Sequence, residues 1–173
     1  DDALFFNKDD HALDLMDLGL SYVNNGLFSK AALHFSEALN YNSKNLNLDF
    51  FTDFFPNDSS LYENMINAFS FQPDQDSSYS KYFFKAFFLK SGPDAFKNIN
   101  IYTNNQPLDV RGRLLYANLF FNDNKWIDAL LHYEYAHNIN EFNTKAIMGS
   151  AMCLYFMEEY QDAIIKFNEL LTI

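Results

Sequence analysis

A spacing of 34 residues constrains this chain more than any single motif. Similar phrases close successive segments: "EALNYNSKN" at Glu37–Asn45, "INAFSFQPD" at Ile66–Asp74, "INIYTNNQPLD" at Ile99–Asp109 and "EYAHNINEFN" at Glu134–Asn143. Pro73 and Pro107 lie 34 residues apart (107 − 73), and Glu141 lies 34 further on (141 − 107). A fixed period of about 20–50 residues marks stacked structural units, none of which buries its apolar face alone. With only 5 Gly and 4 Pro in 173 residues, the chain is poor in tight-turn residues, so the units read as helices and no strands are expected.

The clearest unit is "LGLSYVNNGLFSKAALHFSEALN", Leu18–Asn40. Leu18-Gly19-x-x-Tyr22 precedes Gly26-x-Phe28, then Ala31-x-x-x-Phe35 and Ala38. Small residues at Gly19, Ala31 and Ala38 let two helices cross closely, and Tyr22, Phe28 and Phe35 fill the space between successive hairpins. Asn24-Asn25-Gly26 is suited to leave a helix through a left-handed residue. Pro56 in "FFPNDSS" and Pro93 after Ser91-Gly92 punctuate later helices, and "FNDNKW" at Phe121–Trp126 does the same.

These residues resemble the tetratricopeptide repeat, a 34-residue helix–turn–helix unit with the pattern W-x-x-L-G-x-x-Y, A-x-x-x-F, P. Leu15 stands in place of the Trp and Ser43 in place of the Pro. The template repeats from near Ala12, Asn42, Asp76, Val110 and Thr144. The last four starts are evenly spaced by 34 (76 − 42, 110 − 76, 144 − 110), and repeat two is degenerate. The reading is a lead segment over 1–11 and a single array over 12–173. The resemblance implies an all-α fold: a right-handed superhelical solenoid of about ten antiparallel helices, with a concave groove lined by the first helix of each pair.

Carried over by repeat position, the groove residues expected from the resemblance are Leu13, Met16 and Leu20 in repeat one, and Phe50 and Phe54 in repeat two. Repeat three supplies Phe84, Phe87 and Phe88, and repeat four Arg111, Leu114, Asn118 and Phe121. Repeat five supplies Lys145, Met148, Met152, Tyr155 and Phe156. Two readings of this apolar lining stand side by side. It receives apolar side chains of a partner peptide or helix, with Met adapting to several shapes, or it is core packing of a tightly wound array. Met16 and Leu20 replace the polar first-repeat residues of the family's carboxylate-binding domains, which argues against that mode. Arg111 and Arg113, with Lys145 one repeat on, are the basic residues expected on the groove side.

The formal net charge of −11 disfavours phosphate backbones, so no nucleic-acid partner is expected, and a basic or apolar one suits the surface. No apolar run reaches the roughly 18 residues of a membrane span. The single cysteine, Cys153, excludes an internal disulfide and fits a reducing compartment, with cytoplasm favoured. His132 and His137 are five apart, off the spacing that aligns two ligands on one helix face. No nucleophile, phosphate-loop or metal-ligand pattern appears, so neither an enzyme nor a cofactor is expected. The function expected is a scaffold or adaptor that binds another protein in its groove. The alternatives are an architectural segment that assembles with itself or within a larger complex, or a chaperone for apolar segments of secreted proteins.

Overall fold

The computed structural model describes residues 8–41, 59–70 and 79–173, and all regular structure among them is α-helical. The chain divides into two units, Asp1–Asp76 and Ser77–Ile173.

In the first unit, α1 (Lys8–Asn24) and α2 (Phe28–Tyr41) form a hairpin, and α3 (Ser59–Ser70) packs on α2. The hairpin turns at Gly26, whose φ of 69° is left-handed, as "NNG" predicts. Leu15 and Met16 of α1 are buried, and so are Ala31, Phe35, Ala38 and Leu39 of α2. α1 begins at Lys8, so its first turn lies inside the expected 1–11 lead segment. The first helix expected for repeat two falls within 42–58, outside the described residues, as do Phe50 and Phe54. Nine helices are therefore described of the roughly ten expected.

The second unit holds α4 (Ser80–Leu89), α5 (Gly92–Asn105), α6 (Val110–Asn122), α7 (Trp126–Ile139), α8 (Thr144–Phe156) and α9 (Tyr160–Leu170). Its second helices start at Gly92, Trp126 and Tyr160, two intervals of 34 (126 − 92, 160 − 126). The first helices α6 and α8 start 34 apart as well (144 − 110). Each helix packs on its sequence neighbours, and the first helices also meet, α4 on α6 and α6 on α8. This is the two-layered packing of a helical-repeat solenoid. The local chemistry sets the starts. Asp109 caps α6 through the Arg111 N–H at 2.9 Å, Asn143 caps α8 through the Ala146 N–H at 2.9 Å, and Pro93 fits the first turn of α5.

Close approach between layers depends on missing side chains. A Cβ on Gly112 would stand 2.7 Å from the Tyr102 ring, and one on Gly149 would overlap the Tyr133 ring. α6 therefore settles onto α5, and α8 onto α7, each with a glycine under an aromatic ring.

The turns inside the three hairpins of this unit share one device. Lys90, Asn124 and Glu158, spaced by 34 (124 − 90, 158 − 124), all have left-handed φ, at 61°, 59° and 65°. Asparagine tolerates this region, but for glutamate it costs about 1–2 kcal/mol. Glycine removes that cost at an entropic penalty of about 0.5–1 kcal/mol. Glu158→Gly is thus expected to stabilise the second unit by up to about 1 kcal/mol. The midpoint of urea unfolding, followed by the fluorescence of the sole tryptophan, Trp126, checks it, and a lowered midpoint would contradict the expectation.

Candidate functional site

An open pocket of about 570 Å³ lies between α6 and α8. Phe121, Met148, Gly149 and Met152 give it an apolar surface, while Asn118, Thr144, Lys145 and the Tyr133 hydroxyl end supply polar groups, and Leu170 of α9 adds to the lining. The Tyr133 hydroxyl donates to Asn118 Oδ1 at 2.5 Å. Burial, with a smaller contribution from Cys153, raises the Tyr133 pKa far above the ordinary phenol value, so the hydroxyl keeps its proton and stays a donor. The Asn118 carbonyl is thereby engaged, and the amide NH₂ is the end left for a ligand.

Five expected groove residues thus come together here: Asn118, Phe121, Lys145, Met148 and Met152. Tyr155 and Phe156 continue the apolar surface beside it. Phe156 stacks on Trp126 at 4.8 Å and meets Phe121 edge-on at 5.7 Å, and Tyr155 meets Phe156 at 5.6 Å. Met148, Tyr155 and Phe156 are 46%, 52% and 45% exposed. Leu114 packs partly buried against the core formed by Ala117, Ala129, Tyr133 and Cys153. In α1, Leu13 is exposed and Leu20 half-buried.

Three expected groove residues are corrected. Met16, Phe84 and Phe88 are core residues, 6%, 1% and 2% exposed. α4, "SKYFFKAFFL", is apolar around most of its circumference, so its rings pack inward and on one another. Phe84 lies edge-on to Phe83 at 5.3 Å, and Phe88 edge-on to the half-buried Phe87 at 5.2 Å.

The expected basic cluster is also revised, for of its three members only Lys145 lines the pocket. Arg111 clamps its own helix cap. Its Nη2 is 2.6 Å from Asp109 Oδ2 and its Nε donates to Asp109 Oδ1 at 3.1 Å, while the Tyr102 hydroxyl donates to Asp109 Oδ2 at 2.6 Å. Burial raises the Asp109 carboxyl, but hydrogen bonds from Arg111 and Tyr102 and the Arg111 charge outweigh it and hold the carboxyl below the usual aspartate value. Arg113 lies over the Tyr135 ring at 4.2 Å.

Burial also shifts two further titratable side chains, Cys153 and His132. Burial pushes the Cys153 thiol up to about 12, the opposite of what a nucleophile needs. Burial, and then the charge of Arg113, pulls His132 down to about 4, and its neutral ring stacks on Tyr116 at 4.2 Å. Among the described residues no group of three His, Cys, Asp or Glu could hold a metal ion, and no helix is long and apolar enough to cross a membrane.

No family model matches the chain, and no curated protein matches it by sequence. Solved structures do. The chain is similar to the crystal structure of MamA protein, with a TM-score of 0.56 and 14% identity, over 94% of this chain and 91% of that one. It is also similar to a MamA mutant, with a TM-score of 0.55 and 14% identity, over 96% of this chain and 99% of the other. At that identity the likeness is one of fold, and it agrees with the helical-repeat solenoid described above.

Proposed function

We propose that the chain is a non-enzymatic interaction scaffold of the tetratricopeptide type, with about five repeats, that takes an apolar segment of another protein into the pocket between α6 and α8. The observation that carries this reading is the convergence of Phe121, Met148 and Met152 on one open pocket bordered by Asn118 and Lys145. Methionines adapt to varied apolar shapes. The Asn118 amide suits a backbone carbonyl of the partner, and the net charge of −11 favours a segment with basic flanks.

Met152→Lys places a charge in the pocket at a half-buried site where the helix tolerates it. A partner that co-purifies with the unaltered chain should bind the variant at least about tenfold more weakly, roughly 1.4 kcal/mol, with the far-UV circular dichroism unchanged. Equal binding would overturn the groove reading. Phe84→Ala cannot serve this purpose, because Phe84 belongs to the core.

A further inference from the structure

Between the second helices α7 and α9 lies a pocket of about 310 Å³. Leu130, Leu154 and Ile165 form its apolar walls, and Glu134, Asp162 and Lys166 supply its charges. It shares no lining residue with the pocket between α6 and α8. Lys166 is held by neighbouring carboxylates, 3.1 Å from Glu134 Oε1 and 3.5 Å from Glu169 Oε2. Asp162 is exposed, and among the described residues no ion pair engages it.

The preceding repeat shows what such a place accepts. Counted back by 34, Leu130, Leu154, Asp162 and Lys166 correspond to Phe96, Phe120, Asp128 and His132. There rings fill the space, Phe96 on Phe120 at 4.8 Å and Phe120 on His132 at 5.5 Å. On them lies an ammonium of the chain itself. Lys125 Nζ is 5.1 Å from the Phe96 centroid and 5.8 Å from that of Phe120, and it pairs with Asp123 at 3.3 Å. One repeat on, leucines replace both phenylalanines and the space is an open pocket. Glu159 stands in the place of Lys125, Glu134 in that of Asn100 and Met157 in that of Asp123. Asn100, Asp123, Lys125, Asp128 and the neutral His132 together leave one negative charge. Glu134, Met157, Glu159, Asp162 and Lys166 leave two, so one added ammonium restores the balance of the earlier repeat. A hairpin stacked beyond does not close such a place: α8 and α9 follow the Lys125 site, and the Lys125 side chain is still 52% exposed.

We infer that this pocket binds a lysine side chain presented by another protein, with its methylenes against Leu130, Leu154 and Ile165 and its ammonium on Asp162. Aliphatic walls suit a methylene stem and offer no ring face on which the planar guanidinium of arginine would stack. The chain has 12 basic against 23 acidic residues, and at a net charge of −11 two copies repel each other. The lysine therefore comes from a basic segment of a different protein. This site does not depend on the reading of the pocket between α6 and α8.

The probe is the tripeptide acetyl-Gly-Lys-Gly-amide, titrated into the intact chain while NMR follows the methyl resonances of Leu130, Leu154 and Ile165. Saturable shifts of these methyls are expected, and none with the Nε-acetylated peptide, which keeps the stem but loses the charge. Asp162→Asn should weaken binding at least about tenfold. Glu159→Lys, which supplies an ammonium from the position of Lys125, should abolish it. Both positions are exposed, so far-UV circular dichroism of the two variants should match that of the parent. Absence of saturable shifts overturns the inference, and so does equal binding of the acetylated peptide or by the Asp162→Asn chain. Tighter binding of the arginine tripeptide, or shifts that follow protein concentration before any peptide is added, overturns it by naming a different occupant. Shifts centred on the Met148 and Met152 methyls overturn it too, and leave the pocket between α6 and α8 as the place where the cation goes.

Discussion

Replacing Tyr133 by alanine is expected to destabilise the second unit by about 3–5 kcal/mol, the usual loss for a buried aromatic cut back to a methyl. Its ring packs with Ala117, Ala129 and Cys153, and it is the surface on which Gly149 rests. Its removal leaves a cavity between α7 and α8 that cannot collapse without moving α8. Tyr133→Phe separates the hydroxyl from the ring. Only the bond to Asn118 is lost, and Asn118 is exposed and turns to water, so the expected cost is about 1 kcal/mol. Trp126 reads both variants, because it is the sole tryptophan and stacks on Phe156 within the same unit. If urea unfolding of the alanine variant fell within about 1 kcal/mol of the parent, the ring would not be the support on which α8 rests.

The period was legible in the sequence because it is written in residues with strong local preferences. Pro107, Gly26, the Asn-rich turns and the small residues Gly19, Ala31 and Ala38 all do in the structure what their chemistry suggests. The left-handed turns show the limit. Gly26 and Asn124 announce themselves, whereas Lys90 and Glu158 adopt the same φ without any sign in the residue, because packing of the hairpin imposes it. The candidate site divides in the same way. In α6 and α8 five of the nine expected groove positions, Asn118, Phe121, Lys145, Met148 and Met152, meet at one pocket, since those helices have a clear second layer behind them. In α4 the same positions failed at Phe84 and Phe88, because an all-round apolar helix carries no information about which side faces inward. Arg111 failed for a nearer reason: its partner Asp109 is two residues away, across a helix cap, where helical-face spacing does not look. The glycines at 112 and 149 were passed over because each matters through a ring about ten to sixteen residues earlier in sequence, on another helix.

In the first unit α1 and α2 pack closely at Gly19 and Phe35. Phe35 is fully buried, and a Cβ on Gly19 would stand 2.5 Å from its ring. Phe35→Ala is expected to cost about 3–5 kcal/mol. Gly19→Ala gains about 0.5–1 kcal/mol of helix stability but forces the ring aside, which costs about 1–3 kcal/mol, so it destabilises on balance. The two sites share one volume, so their effects cannot add. With Phe35→Leu in place, the ring atoms that meet the new methyl are absent, and Gly19→Ala becomes neutral or mildly stabilising. The coupling expected across that double-mutant cycle is about 0.5–3 kcal/mol. Trp126 belongs to the second unit, so the measurement made on the first is deuterium uptake of peptides from residues 8–41 over a urea series. Additive effects would mean that α1 and α2 cross without this contact. A positive coupling would place the tight crossing where the glycine and the phenylalanine put it, and show that the hairpin which sets the repeat is held by shape and not by apolar content alone.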